Sequence, residues 1–377
     1  MLAAVVGLSL IAALVFHFGP QAVARPLIAV GWTGFAMVCS IHIALMAAMG
    51  IAWGMLMPGT RLWVPVWGRL VRDSGSELMP LSQIGGYVLG ARAVTLAGVD
   101  GTTATASTIV DVTLELFGQL AYTALGLSCL IFVKPDAAVA APVAAGLAVA
   151  ALLAAGFVVV QRRGFDLFGQ FARVFGRGWA DKTAAGAAAL HTALAAIYRR
   201  QERVFSCFAL HLACWIASTV EAWVALRFAG VPLGFATLLV IESLLYAARS
   251  MAFAIPNAVG VQEGAYILLG ASFGLTPETA LALSLLKRAR DLTIGVPGLV
   301  AWQLLESGRL WRRITSRLPK IETPVGTTGA PPASAGCGDG VMSIVGVQRD
   351  ETMLRDNATR ALRLQSISEK LTINGRE

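Results

Sequence analysis

Five stretches of the chain, 1–16, 27–57, 137–160, 205–226 and 292–305, are almost continuously apolar. Several reach or exceed the roughly 20 residues that cross a bilayer as a helix. This predicts an all-α fold, a polytopic integral membrane helical bundle with about seven to nine crossings. Composition agrees, because 56% of residues are hydrophobic and 14% charged, against roughly 25% charged in ordinary soluble domains. The net charge of +8 does not point to nucleic acid. The basic residues sit beside the apolar runs, where they orient membrane helices and meet anionic lipid.

The membrane reading makes residues 256–291 the most demanding part of the chain. Here Pro256, Gly260, Gln262, Glu263 and Gly264 interrupt a greasy region, followed by Lys287, Arg288, Arg290 and Asp291. Hydrocarbon offers no water to a broken backbone or a bare charge, so this segment must lie inside protein or line a wet cavity. Lys287 and Asp291, four apart, are expected to pair along one helix face. Each charge at mid-bilayer costs roughly 2.5–3.5 kcal/mol on insertion scales. A purely structural bundle has Ser or Ala as cheaper choices, so Arg249, Glu263, Lys287, Arg288, Arg290 and Asp291 together are read as a polar cavity for a lipid head group. For Glu221 or Glu242 taken alone, interhelical ion pairing is the simpler reading.

Along the chain, residues 1–16 lack a basic leader and a clear cleavage site, so a retained helix is expected. Residues 27–57 form the second segment, with His42 in a helix-packing hydrogen bond. Residues 60–79 mix Trp63 and Trp67 with Arg61, Arg69 and Arg72, a composition that places them on the membrane surface. Pro80 to Arg92, interrupted by Gly85 and Gly86, reads as a re-entrant or broken helix. Residues 102–132 form a helix on which Asp111, Glu115 and Gln119 share a face at i, i+4 and i+8. That face turns either to the bundle interior or, at the helix start, to water. Lys134-Pro-Asp136 is a turn, and 137–160 spans. Residues 161–203 carry eight Lys/Arg against three Asp/Glu and are expected as a cytoplasmic loop. Residues 205–228 and 237–255 span, and 277–305 form one long helix or two short ones. Residues 306–320 hold five basic residues and one acid, which places the C-terminus in the cytoplasm. The parity of crossings depends on whether 257–274 crosses or only dips. The expected organisation is a membrane domain over 1–315, with halves 1–160 and 204–315, and a largely disordered cytoplasmic tail over 316–377.

Cys39, Cys129, Cys207, Cys214 and Cys337 show no paired motif and read as small buried residues. His17, His42, His191 and His211 are too scattered for a metal site. No hydrolase, kinase or phosphate-loop pattern is present, and no cofactor, metal or nucleotide is expected.

The two halves resemble each other. Pro80…Gly85-Gly86-Tyr87…Leu89-Gly90-Ala91 parallels Pro256…Gly260…Gly264-Ala265-Tyr266…Leu269-Gly270-Ala271, and an aspartate, Asp111 or Asp291, follows each late glycine by twenty-one positions. Paired Gly/Pro-interrupted segments in corresponding positions point to a transporter-type site at a repeat interface.

Pro80-x-Ser82-x-x-Gly85-Gly86, Arg249-x-x-x-Phe253-x-x-Pro256…Gly260-x-Gln262-Glu263-Gly264 and Ser284-Leu-Leu-Lys-Arg-Ala-Arg-Asp291 resemble the flippase-like membrane domain of lysylphosphatidylglycerol synthases. Among its stand-alone relatives the pattern is most similar to the hopanoid-biosynthesis-associated type. The resemblance covers roughly 1–315. It implies re-entrant helices meeting near mid-membrane in a bacterial inner membrane and a role in translocating or handling a lipid, a hopanoid or an anionic phospholipid. It carries site roles onto Pro80, Gly85, Gly86, Arg92, Arg249, Pro256, Gly260, Gln262, Glu263, Lys287, Arg288 and Asp291. Residues 321–377 are too few and too polar for the soluble aminoacyl-transferase domain of the full-length synthases, so lipid aminoacylation is not expected. The full candidate cavity is Arg92, Asp111, Glu115, Glu242, Arg249, Gln262, Glu263, Lys287, Arg288, Arg290 and Asp291. Three functions follow: a lipid translocator, an intramembrane head-group enzyme with Glu263 or Asp291 as base, or a non-catalytic partner of lipid-biosynthetic enzymes.

Overall fold

A computed structural model describes residues 2–78, 82–134, 140–163, 177–252 and 255–315. Every regular element among them is helical: α1 (Leu2–Phe18), α2 (Pro20–Met55), α3 (Trp63–Leu78), α4 (Ser82–Leu96), α5 (Gly101–Val133), α6 (Ala140–Arg163), α7 (Arg177–Tyr198), α8 (Gln201–Phe228), α9 (Phe235–Met251), α10 (Val261–Ala271) and α11 (Pro277–Thr315), with a 3₁₀ turn at Pro256–Ala258. Helices α2, α5, α6 and α8 are long and apolar enough to cross a membrane. The large apolar side chains left exposed, among them Trp32, Phe132, Leu152, Leu153 and Leu304, suit a lipid-facing rim. The protein is a multi-pass membrane protein.

Local chemistry explains the element boundaries. Pro20 sits in the first turn of α2, where its missing N–H costs nothing. The helix runs on through Pro26 and bends at Gly31, whose φ of 62° is open to glycine and strained for other residues. Asp100 caps α5 by accepting the Thr103 N–H at 3.0 Å. That bond holds its carboxyl below the usual carboxylate range. In α11 Pro297 lies inside one continuous 39-residue helix, so the 277–305 alternative resolves to a single helix, longer than expected.

Between the long helices lie two hairpins of short ones. Helices α3 and α4, of 16 and 15 residues, reach only about 24 and 22 Å at 1.5 Å per residue, less than the roughly 30 Å hydrocarbon core. Helices α9 and α10, of 17 and 11 residues, form the second hairpin around the 3₁₀ turn. The packing pattern is unchanged when the quartet α2–α5 is exchanged with the quartet α8–α11. Helix α2 packs on α8, α5 on α9 as α11 on α3, and α5 on α8 as α11 on α2. The faint repeat in the sequence is therefore an architectural one.

The two largest apolar clusters among the described residues each join the halves. One centres on Trp53, with Met57, Val64, Val94, Val110, Leu194 and Cys207 around it. The other gathers Val38, Leu226, Leu238, Ile241, Tyr266 and Leu283. Fully burying each large apolar side chain contributes about 1.5–3 kcal/mol relative to exposure in water, and in lipid close packing carries more of the association.

Several expectations are corrected here. Residues 60–79 are not a surface segment: α3 is packed between α2, α4 and α11, with Val64, Gly68, Arg69, Val71 and Arg72 buried. The basic stretch 161–203 is not all loop, because 177–198 form α7, whose Leu190, Leu194 and Ile197 join the Trp53 cluster. Gly85, Gly86 and Gly264 do not break helices; they lie inside α4 and α10. Gly86 instead allows close contact, since a Cβ there would collide with Ser76 and the Arg72 carbonyl. In the second half the break is real. Asn257 and Ala258 have φ of 47° and 44°, and Gly260 has φ of 88°. Pro80, Pro135-Asp136 and the tail 316–377 lie outside the described residues.

Candidate functional site

Among the described residues the charged side chains sort into five ion-pair groups, each joining different helices. In the first half Arg69 and Arg72 of α3 meet Asp111 and Glu115 of α5. Arg69 donates from Nη2 to Glu115 Oε1 at 2.7 Å and from Nε to Asp73 at 2.7 Å. Arg72 donates from Nη1 to Asp111 Oδ2 at 2.5 Å and also bonds Glu115. The i, i+4, i+8 stripe of Asp111, Glu115 and Gln119 thus faces the interior. Gln119 Nε2 donates to the Tyr246 carbonyl at 3.1 Å and to Ser250, tying α5 to α9.

In the second half the arrangement inverts, with the acids mostly off α11 and the bases on it. Lys287 Nζ donates to Glu242 Oε2 at 2.5 Å, and Glu242 also accepts from Tyr266 Oη at 2.6 Å. Arg288 Nε donates to Glu263 Oε1 at 2.6 Å. Arg290 bonds both Glu221 and its neighbour Asp291. The Lys287–Asp291 pair expected from spacing does not form, because Lys287 turns toward α9.

Glu263 explains why 260–264 is built as it is. Its Oε2 accepts the Gly260 N–H at 2.7 Å, capping the N-terminus of α10, while Oε1 accepts from Ser284 Oγ at 2.9 Å. Gln262 Nε2 donates to the same Ser284 hydroxyl at 2.8 Å. These side chains hold the broken helix against α11. Arg92 lies elsewhere: it is half exposed and pairs with Glu306 at 2.7 Å.

A cavity of about 380 Å³ opens where the two hairpins converge. Helix α3 reaches the 3₁₀ turn at the tip of the second hairpin. The walls carry Arg69, Arg72, Asp73 and Glu77 from α3, Glu115 and Gln119 from α5, Trp215 and Glu221 from α8, Tyr246, Arg249 and Ser250 from α9, then Asn257 and Arg290, with His42 from α2. Of the eleven cavity residues expected from sequence, Glu115, Arg249 and Arg290 line it. Asp111, Glu242, Gln262, Glu263, Lys287, Arg288 and Asp291 stand behind the walls as partners or braces, and Arg92 is remote.

Sequence reading missed Arg69, Arg72, Asp73 and Glu77. Their spacing, 69, 72, 73 and 77, places them along one helical face, a signal that the aromatic and basic composition of the segment obscured.

Arg249 differs from the other arginines of the site. It donates from Nη2 to the neutral Asn257 Oδ1 at 2.9 Å and stacks near the Tyr246 ring. Among the described residues no carboxylate lies within ion-pair distance of it. Two other buried donors of cavity residues, Arg72 Nε and Trp215 Nε1, have no hydrogen-bond partner among the described residues. Buried donors without acceptors are costly, so these two atoms gain from an acceptor brought by a ligand.

Asp111, Cys207 and His211 bring three potential metal-ligand atoms within 4.8 Å of one another, closer than the scattered histidines of the sequence suggest. Yet Asp111 already bonds His211 Nε2 at 2.9 Å and has two arginines against it. That positive charge opposes a cation, and we read the group as part of the ion-pair network.

No curated protein and no solved structure matches the chain. The family model of the "Lysylphosphatidylglycerol synthase TM region" matches residues 1–298, which take in both hairpins and every residue of the cavity. Four helices long and apolar enough to cross a membrane, two hairpins of short helices and an interior of paired charges accompany that match, and the chain belongs to this membrane lipid-related family.

Proposed function

We propose that the protein is a lipid translocator whose cavity shelters a polar head group while the acyl chains stay in the bilayer. The observation that carries this reading is Arg249: an arginine on the cavity wall whose polar partner is a neutral amide. An arginine there is a ready partner for phosphate oxygens. The cavity, about 380 Å³, is within the usual range for a small ligand site, roughly 300–1,000 Å³.

The other walls supply what a head group needs. Gln119, Ser250, Asn257 and Tyr246 offer neutral hydrogen-bonding groups, and Trp215 offers a free donor. The paired arginines, Arg69, Arg72 and Arg290, fix the walls and are taken up by their carboxylates. An anionic phospholipid suits Arg249, which has no carboxylate partner among the described residues, better than the hydroxylated head group of a hopanoid does. We read the protein as a carrier rather than an enzyme, because among the described cavity residues no serine or cysteine hydrogen-bonds a histidine or carboxylate.

The test is reconstitution into liposomes with a panel of labelled lipids, including anionic and zwitterionic phospholipids and a hopanoid, scoring leaflet exchange. Protein-dependent exchange of the anionic lipids supports the reading. Chemical change of a lipid by the purified protein, without exchange, would replace it with the enzyme reading.

A further inference from the structure

We propose that the head group travels together with a proton taken up at His42, which makes the protein a proton–lipid symporter; this rests on the translocator reading above. His42 lines the cavity with its side chain one-fifth exposed, and its Nδ1 lies 3.1 Å from Oε2 of the buried Glu221. A carboxylate accepts hydrogen bonds, so Nδ1 carries the hydrogen and Nε2 holds the lone pair that takes a proton. Imidazole is also the side chain that ordinarily changes charge between about pH 5 and 8.

The charges around it give that proton a purpose. Helix α8 presents Glu221 to His42, and α11 presents Arg290, which bonds both Glu221 and Asp291. One arginine against two carboxylates leaves this group one negative charge in excess while His42 is neutral. From α3, Arg69 and Arg72 face the same cavity but are taken up, two against three, by Asp73, Glu115 of α5 and the buried Asp111, so no positive charge is spare there. Glu77 adds a further carboxyl to the α3 wall, and α9 contributes Arg249. On its own element His42 has only the thiol of Cys39 near the Glu221–Arg290 pair.

With His42 neutral, the excess negative charge opposes a phosphate at Arg249. With His42 protonated the Glu221–Arg290–Asp291 group is neutral, and less negative charge opposes an anion at Arg249. Each ligand therefore raises the affinity for the other, as linkage requires. When Nε2 releases its proton on the more alkaline side, the anion is repelled and leaves. One proton moves with one singly charged lipid, so net charge transfer is zero.

The experiment uses the full chain in phosphatidylcholine vesicles containing fluorescent phosphatidylglycerol, with a pH-sensitive dye inside. Under a gradient of about one pH unit, one-to-one coupling predicts about a tenfold excess of labelled lipid in the alkaline-side leaflet, together with proton entry that follows the lipid. In His42→Gln the leaflet ratio should fall to about one, whatever the exchange rate. Wild-type exchange that reaches a ratio near one despite the gradient overturns the coupling and leaves the translocator reading intact. So does a tenfold excess that survives in His42→Gln. Absence of any exchange by the wild type removes both readings. Should His42→Gln fail to fold, the wild-type ratio alone decides.

Discussion

Two residues from the same short stretch do different work, and substitution should separate them. Glu263 caps α10 and pairs with Arg288, behind the cavity wall. Removing one partner of a buried pair costs about 3–5 kcal/mol, chiefly because the other charge is stranded. Glu263→Ala should therefore lower thermal stability by an amount of that order, and loss of activity in it reports on folding rather than head-group contact. Arg249 has a neutral partner, so Arg249→Ala breaks no ion pair among the described residues. It should leave the melting temperature within a few degrees of wild type while reducing exchange of an anionic lipid tenfold or more, about 1.4 kcal/mol. A large drop in stability for Arg249→Ala, or a stable Glu263→Ala, would show that the division is wrong.

The division was only partly legible in the sequence. The Asp111–Glu115–Gln119 stripe was readable because helical spacing alone puts three residues on one face. The demand on 256–264 was also readable, because proline, glycine and charge in hydrocarbon need an explanation. Choice of partner was not. Lys287 and Asp291 are four apart, yet Lys287 bonds Glu242, 45 positions away, and Arg72 finds Asp111 39 positions on. Such pairings are set by how helices pack, which local periodicity does not contain. Arg69 and Arg72 were misread because tryptophan beside arginine is also the signature of a membrane interface.

At the scale of elements, the two hairpins are closed by different means. The first relies on close approach: α4 comes against α3 so tightly at Gly86 that a Cβ would meet Ser76 and the Arg72 carbonyl. Gly86→Ala should cost about 1–3 kcal/mol by overpacking, read as a lower melting temperature, and should move Arg72 away from Asp111. A wild-type melting curve for this variant would mean that the hairpin is looser than described. The second hairpin relies on backbone conformation. Gly260, with φ of 88°, starts α10, and Gly260→Ala should cost about 1–2 kcal/mol of left-handed strain. The sequence marked glycine in both hairpins as a helix breaker. That holds at Gly260 and fails at Gly86, because a helical glycine that permits contact looks the same in sequence as one that ends a helix.

At the scale of the molecule, two quartets of helices with interchangeable packing enclose one cavity, and the charges are distributed oppositely in them. In the first half Arg69 and Arg72 are on the hairpin helix α3, with Asp73 beside them, and Asp111 and Glu115 are on the long helix α5. In the second, Lys287 and Arg288 are on the long helix α11, and Glu242 and Glu263 are on the hairpin. In each half carboxylates outnumber the bases they pair with at the cavity, Asp73, Asp111 and Glu115 against Arg69 and Arg72, and Glu221 and Asp291 against Arg290, and the cavity keeps Arg249 as the cation without a carboxylate partner among the described residues. The account assigns the function to residues 1–315, so a chain ending at 315 should retain lipid exchange. Loss of exchange in a folded chain of that length would favour the reading in which the protein acts by recruiting partners.

The central claim is that a lipid head group passes through the cavity at Arg249. The most direct measurement is leaflet exchange of labelled phosphatidylglycerol in proteoliposomes, comparing wild type with Arg249→Ala at equal, folded protein density. The account predicts exchange well above protein-free vesicles for the wild type and a fall of at least about tenfold for the variant. Equal exchange by the two proteins, or no exchange by a folded wild type, would contradict it.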